Sequence, residues 1–500
     1  MSDETDVSRY FNSTMHTIFD EIVSPTRDQD FSTKVMANTK DNQILQFSLN
    51  DFSSTHMDAE MTSNNDIYSD LYTNMWIPSE KTEKVLNSIV KSAEENNLFD
   101  QENLTMPKLA LQGDLPDILK HTAVHFLGKD ENIHNNVLKM SDVTEDERGL
   151  KKLIEAGCYR DAVNLTGRLL AVYAQECERI NQPNRHTPQS LQLWYTRLSM
   201  LSKLKKYDIL EIESIPFEDL DKPDMYFKFY PEVYGSMSGS MAPFSLRLLL
   251  AEIPRYCGKY TIALDNLHVI LVITNKIIES LKSSPNIETS DSKDYLDNKE
   301  NGIILWNLRK SHILISIVNC AVGMKNYILA IDVLKILYGL SNWTTEQLDM
   351  INCAIGRIHL YLGDVSAAET YFKNNNSLKS MLSVSKLIDS GLTAVAQNAF
   401  QDAYSCFQAA NVIDPFNIML INNMAICLLY TGQLRASVHL YETTVAKNPL
   451  KSLQESTLLN MCTSYELHTT QSMQTKLNFL KQLNRNKGDI IDVQCLKLNL

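Results

Sequence analysis

An all-α solenoid of stacked two-helix repeats, preceded by a largely disordered acidic N-terminal region, is the fold this sequence predicts, on three observations. The chain has 500 residues, more than the roughly 250–300 at which a single hydrophobic core stops growing, so several regions or a repeat array are required. Charge divides it: residues 1–105 carry 19 Asp/Glu against 7 Lys/Arg, whereas 106–500 carry 41 against 40. Finally, Pro415 and Pro449 stand 34 residues apart, and around them small and aromatic residues recur at the same interval: Gly391 and Ala425, Ala403 and Ser437, Phe407 and Tyr441.

Residues 1–105 are rich in Ser, Thr, Asn and Asp with isolated aromatics. Such a segment buries too little apolar surface to offset chain ordering, roughly 1–2 kcal/mol per residue. It is expected to be mostly disordered, with two islands that order on a partner: Val7 to Val23, and Met75 to Val90 around Trp76 and Ile77. Ser24-Pro25 is a possible phosphorylation site. The first ten residues hold neither a basic start nor an apolar run, so no secretory signal is expected. Residues 303–322 are apolar but interrupted by Arg309, Lys310 and His312, which argues against an integral membrane span.

Residues 106–140 read as a linker with short helices. From 141 onward the 34-residue spacing is that of the tetratricopeptide repeat, with small residues at positions 8 and 20, an aromatic at 24 and Pro at 32. Small residues at 8 and 20 let helices A and B approach to about 8–10 Å, and larger residues interdigitate around that crossing. Proline ends helix B because it cannot extend the hydrogen-bond ladder. Looser copies precede: Gly356, Gly363, Ala368 and Phe372; Val318, Tyr327, Ala330 and Leu334; Ala251, Gly258, Tyr260, Ala263 and Leu267; Trp194 with Tyr207; and Gly157, Tyr159 and Ala162. The expected domains are divergent repeats over 141–280, a flexible polar insertion at 281–302, regular repeats over 303–450, and a helical cap and tail over 451–500.

Chemistry is sparsely signalled. His121 and His125 have the i, i+4 spacing of helical zinc ligands, but the intervening residues lack the Glu of a metalloprotease and no third ligand is suggested. Gly235 and Gly239 lie in no phosphate loop, since neither an apolar strand nor a following Lys-Ser/Thr accompanies them. No nucleophile elbow occurs, and the nine cysteines are scattered singly without a CxxC pair, as in a reducing, cytosolic compartment. No enzyme activity, cofactor or metal is expected. A nearly neutral repeat region also lacks the broad basic surface that nucleic acid requires.

Recognition by surface remains. The inner face of the A helices comprises Met350, Cys353, Arg357, Leu360 and Tyr361, then Ser385, Ile388, Leu392, Val395 and Ala396, then Met419, Asn422, Ile426, Leu429 and Tyr430. Either these form an apolar trough for a protein element, with Met350, Arg357, Tyr361, Met419, Asn422 and Tyr430 as candidate contacts, or some of them pack against the next repeat. A cochaperone gripping an acidic terminus would place a cluster of Lys and Arg there. A second surface spans 216–244, where prolines interrupt the helical pattern and Phe217, Tyr226, Phe229, Tyr230, Tyr234, Met241 and Phe244 concentrate. So many aromatics must be buried, either bracing the solenoid or docking a neighbour.

Residues 161–170 (DAVNLTGRLL), 190–204 (SLQLWYTRLSMLSKL), the aromatic block ending in Gly239-Ser240-Met241-Ala242-Pro243-Phe244, and the C-terminal stretch around Met461 and Gln494 resemble a tetratricopeptide-repeat subunit of the trafficking protein particle complex. The resemblance runs from about 141 to 500. It implies a non-catalytic subunit of the third type of that complex, bridging an arm to the core. The assembly it implies is an exchange factor for a Rab GTPase in endoplasmic reticulum to Golgi transport and autophagy. Implied neighbours are subunit 11, the small subunit 2-like adaptor and the other large arm subunits, with the Rab GTPase reached only through the complex. The implied location is cytoplasmic, peripheral at endoplasmic reticulum exit sites, the intermediate compartment and Golgi. The alternative reading is a peptide-binding cochaperone.

Overall fold

In a computed structural model the described residues are 72–91, 104–111, 113–128, 138–176, 186–218, 220–235, 237–283, 292–340, 343–373, 384–486 and 491–498. The expectations for Val7 to Val23 and Ser24, and for most of the acidic region, lie outside them. In chain order the helices are α1 (Glu80–Lys91), α2 (Ile118–Leu127), α3 (Glu147–Glu155), α4 (Tyr159–Glu176), α5 (Pro188–Lys203), α6 (Tyr207–Ser214), α7 (Pro231–Tyr234), α8 (Phe244–Tyr256), α9 (Tyr260–Ser283) and α10 (Ser292–Gly323). They continue with α11 (Tyr327–Tyr338), α12 (Thr345–Tyr361), α13 (Val365–Lys373), α14 (Val384–Ala396), α15 (Phe400–Ile413), α16 (Ile418–Tyr430), α17 (Leu434–Lys447), α18 (Pro449–Ser452), α19 (Glu455–His468) and α20 (Ser472–Asn486). The fold is an all-α array of tetratricopeptide-type hairpins. One isolated antiparallel bridge, Tyr226 to Ser240, interrupts it.

A single backbone device recurs at seven hairpins among the described residues. Between helix A and helix B the chain passes through a left-handed residue: Gly157, Lys205, Gly258, Lys325, Gly363, Asn398 and Gly432, with φ between +55° and +81°. The N–H of the following residue reaches back to the carbonyl five positions earlier, from Cys158 to Leu153, Lys206 to Leu201, Lys259 to Pro254, Asn326 to Ala321, Asp364 to His359, Ala399 to Ala394 and Gln433 to Leu428, at 2.8–3.1 Å. This Schellman closure ends helix A and re-aims the chain, so helix B starts two residues after the left-handed position. Five positions on, the small residues Ala162, Ala263, Ala330, Ala368, Ala403 and Ser437 are fully buried, where the helices cross.

The chain divides into two compact units. The C-terminal unit comprises the described residues of 117–137 and 338–500. In it a Cβ added to Gly356 would lie 2.4 Å from the Phe372 ring, and one added to Gly391 would lie 2.6 Å from the Phe407 ring. In the next hairpin Ala425 and Ser437 meet directly, the Ser437 hydroxyl donating to the Ala425 carbonyl at 2.8 Å. Beyond α17 the expected cap is a further hairpin, α19 and α20, with a 3-10 turn at Val493–Leu496. Leu119 and Ala123 of α2 share its core with Met461, Phe479, Leu480 and Leu496. A segment early in the chain thus covers apolar surface that the end of a repeat array would otherwise expose.

The N-terminal unit comprises the described residues of 43–116 and 138–337. Its helices are longer, 24 residues in α9 and 32 in α10. Helix α10 begins at Ser292, so 292–302 is helical where the sequence suggested an insertion. The Met75 to Val90 island also differs from expectation. It packs in cis: Trp76 is buried and its carboxyl-terminal neighbours form α1, docked against 3-10 turns at Pro223–Met225 and Phe227–Phe229. The cause is long-range pairing, which local periodicity does not encode. Among the described residues one helix, Tyr260–Ser283, is long and apolar enough to cross a membrane by length and composition alone. Ala263, Leu267, Ile270, Thr274, Ile277 and Leu281 line its buried face, as in the core helix of a repeat.

Candidate functional site

In the C-terminal unit most inner-face positions are spent on packing. Cys353, Leu360, Ile388, Leu392, Val395 and Ile426 are buried. Arg357 is committed to the next hairpin: its Nη2 and Nε lie 2.8 and 3.0 Å from Asp389 Oδ1, while Cys353 Sγ donates to Asp389 Oδ2 at 3.0 Å. Asp389 is buried, so this ion pair fixes the register of α12 against α14. Asn422 is likewise interior, its Oδ1 accepting from the Tyr441 hydroxyl at 2.9 Å and from Asn460 Nδ2 at 3.0 Å. Met350, Tyr361 and Met419 are half-buried, and Tyr430, 52% exposed, stacks on Phe400 with ring centroids 4.6 Å apart. The open part of the expected trough therefore includes Met350, Tyr361, Met419 and Tyr430, with Ser385 exposed and Ala396 and Leu429 half-buried beside them. Sequence reasoning missed Val412, Ile413 and Phe416, which project at the turn between α15 and α16, Phe416 at 70% exposure. Their signal was an apolar group at the helix end beside Pro415.

The aromatic block of the N-terminal unit is largely interior. Phe217, Tyr226 and Met241 are buried; Phe217 meets Trp194 edge to face at 5.4 Å, and the Tyr226 hydroxyl donates to Asp221 at 2.9 Å. Phe229, Tyr230 and Tyr234 are half-buried and form an edge-to-face cluster with Phe227. Burial raises the Tyr234 phenol above its ordinary value. Phe244 packs on Trp306 at 6.1 Å, and the Arg309 guanidinium lies over both rings.

A strap formed by residues 72–91, 104–111 and 113–115 crosses this block. Trp306 Nε1 donates to the Tyr72 carbonyl at 3.0 Å, Arg309 to that of Thr73 at 2.9 Å, and the Ser240 amide to that of Asn74 at 2.9 Å. Trp76 lies beneath the Arg247 guanidinium, 4.2 Å from its ring centroid. Asp221 then accepts from the Ser79 amide and the Thr82 hydroxyl. Farther on, Asp224 accepts from the Thr105 amide and hydroxyl at 2.7 and 3.2 Å, and His186 Nε2 lies 2.8 Å from the Thr105 carbonyl. Burial lifts the Asp224 carboxyl above the usual carboxylate range. Glu213, paired with Arg197 at 2.7 Å, accepts the Ala110 amide, and Asn164 accepts that of Leu115. The strap thus runs along the unit from α10 back to α4, against chain order. Asp221, Asp224, His186 and Glu213 carried no pattern in the sequence, because their partners on the strap lie 81 to 142 residues away.

Among the described residues no group of His, Cys, Asp and Glu is arranged to hold a metal ion; His121 and His125 sit on α2, where His125 lies edge to face with Phe126 at 4.9 Å. Burial pushes the Cys427 thiol up to about 12 and that of Cys462 to about 11, away from nucleophilic use. What the geometry offers is extended protein surface.

Over 428 residues, 85% of its length, the chain is 36% identical to trafficking protein particle complex subunit 12 of Mus musculus and 35% identical to that of Homo sapiens. It covers 53% and 58% of those two proteins, so the chain spans about half the length of the curated relatives it matches. No family model matches the sequence. Among solved structures, the crystal structure of the P58(IPK) TPR domain aligns with 70% of this chain and 94% of its own, at 15% identity and a TM-score of 0.19. The likeness to the two subunit 12 proteins carries the resemblance noted in the sequence; the tetratricopeptide assignment stands on the seven hairpin closures themselves.

Proposed function

We propose that this chain is a non-catalytic scaffold subunit of the trafficking protein particle complex of the third type. It joins an arm to the core of an assembly that acts as a Rab exchange factor and tether in endoplasmic reticulum to Golgi transport and autophagy. Its neighbours are subunit 11, the subunit 2-like adaptor and the other large arm subunits, and it works in the cytoplasm, peripheral to exit sites, the intermediate compartment and Golgi. The observation that carries this reading is the identity with subunit 12 over 428 residues, on an array whose buried polar groups serve packing. The half-buried Met350, Tyr361 and Met419, with exposed Tyr430 and Phe416, are the contacts proposed for a neighbouring subunit.

Affinity purification of the full chain from cells, with stoichiometric partners identified by mass spectrometry, tests this. The scaffold reading expects the other subunits at near-equal abundance, and a Tyr430→Asp, Phe416→Asp variant that folds but retains fewer of them. Recovery of the chain with chaperones in place of those subunits would favour the cochaperone reading and defeat this one.

A further inference from the structure

The strap is gripped as a ligand is gripped. Three successive carbonyls, of Tyr72, Thr73 and Asn74, where a helical turn ends, accept from Trp306, Arg309 and Ser240, contacts to the main chain that any side chain would permit. Two aromatic side chains four residues apart, Tyr72 and Trp76, are each only 9% exposed. Tyr72 lies against Gly302, where an added Cβ would come within 3.0 Å of its ring, and Trp76 sits between Arg247 and Trp306. The track is also cut to the width of a main chain at Gly239, whose φ is +107° and where an added Cβ would stand 2.5 Å from the Asn74 carbonyl oxygen. Trp306 is fully buried in α10, and Ser240, Met241 and Arg247 are buried around it, so the track belongs to the repeat scaffold, whereas the strap segment from Asn74 to Ser79 has no helix of its own.

We propose that this track, built by Gly239, Ser240, Arg247, Gly302, Trp306 and Arg309, is a peptide-binding site whose resident ligand is the chain's own residues 72–82. It accepts in trans a peptide bearing two aromatic side chains four residues apart. Tethering gives the resident segment an effective concentration on the order of millimolar, which keeps the site closed in the intact chain. An incoming segment competes only when the strap is weakened or pulled away. The reading is independent of which assembly the chain joins.

The test uses the full chain and a fluorescent synthetic peptide spanning residues 72–84, followed by anisotropy. Wild-type protein should bind the peptide weakly, because its site is filled. Trp76→Ala in the protein weakens the strap and leaves the track intact, and should tighten binding at least about tenfold. Adding Gly239→Val to that variant should abolish the gain, and a peptide carrying Trp76→Ala should not bind. Equal affinity for wild type and Trp76→Ala, or a gain insensitive to Gly239→Val, overturns the proposal. Should Trp76→Ala fail to fold by circular dichroism, Tyr72→Ala takes its place. If that variant also unfolds the proposal fails, because a ligand can leave without unfolding its receptor.

Discussion

The hairpins over 384–447 and the strap-bound unit over 138–337 use the same αα closure yet are stabilised on different length scales. In the first, the contacts at the helix crossings join residues that a 34-residue repeat already relates: Gly391 with Phe407, Ala425 with Ser437, Asn422 with Tyr441. In the second, the hairpins are completed by the described residues of 72–115, and the anchoring pairs join residues far apart, as Trp306 does with Tyr72. A repeat specified by its own spacing is regular. One that depends on a remote strap is free to diverge, provided the strap's partners stay in place.

The largest effect that would break this comparison is expected in the regular hairpins. Phe407→Ala empties the fully buried space against Gly391 and should cost about 4 kcal/mol, measured by urea denaturation of the C-terminal unit's transition. An intermediate one comes from Asp389→Asn, which leaves Arg357 half-buried without its counter-charge. Breaking such a pair costs about 3 kcal/mol or more when fully buried; with Arg357 partly open to solvent, about 2 kcal/mol is expected, and the added change Arg357→Met should recover part of it.

The closures themselves sharpen the comparison, since Lys325 and Gly432 hold the same left-handed position in the two units. Lys325→Gly should stabilise by about 1 kcal/mol and Gly432→Ala destabilise by about as much, both read as shifts in melting temperature. The smallest effect concerns pH. Burial, with Arg309 adding repulsion, lowers His312 from its ordinary 6.5 to about 4. Below pH 6.5 the unfolded chain takes up a proton that the folded chain refuses, so stability falls as the pH drops from about 6.5 towards 4. His312→Asn should flatten that slope.

What the sequence made legible follows from these length scales. Gly258 with Tyr260 and Ala263, or Gly363 with Ala368, lie within one hairpin, and backbone sterics place them. Lys205, Lys325 and Asn398 were harder to read, because they adopt the left-handed turn without being glycine. Trp76 announced itself as an aromatic in an acidic stretch, yet nothing near it named Arg247 or Trp306 as its neighbours. Arg357 and Asn422 read as groove residues from their register, and only the geometry shows Asp389 holding Arg357 Nε and Nη2, and Tyr441 and Asn460 donating to Asn422 Oδ1.

Hydrogen–deuterium exchange of the full chain, wild type against Trp76→Ala, tests most directly whether the two units are held by different means. The account predicts that the variant loses protection over 72–91 and at the Ser240 amide, while 384–447 exchanges as in wild type. Unchanged protection along the strap, or an equal loss in both units, would contradict it.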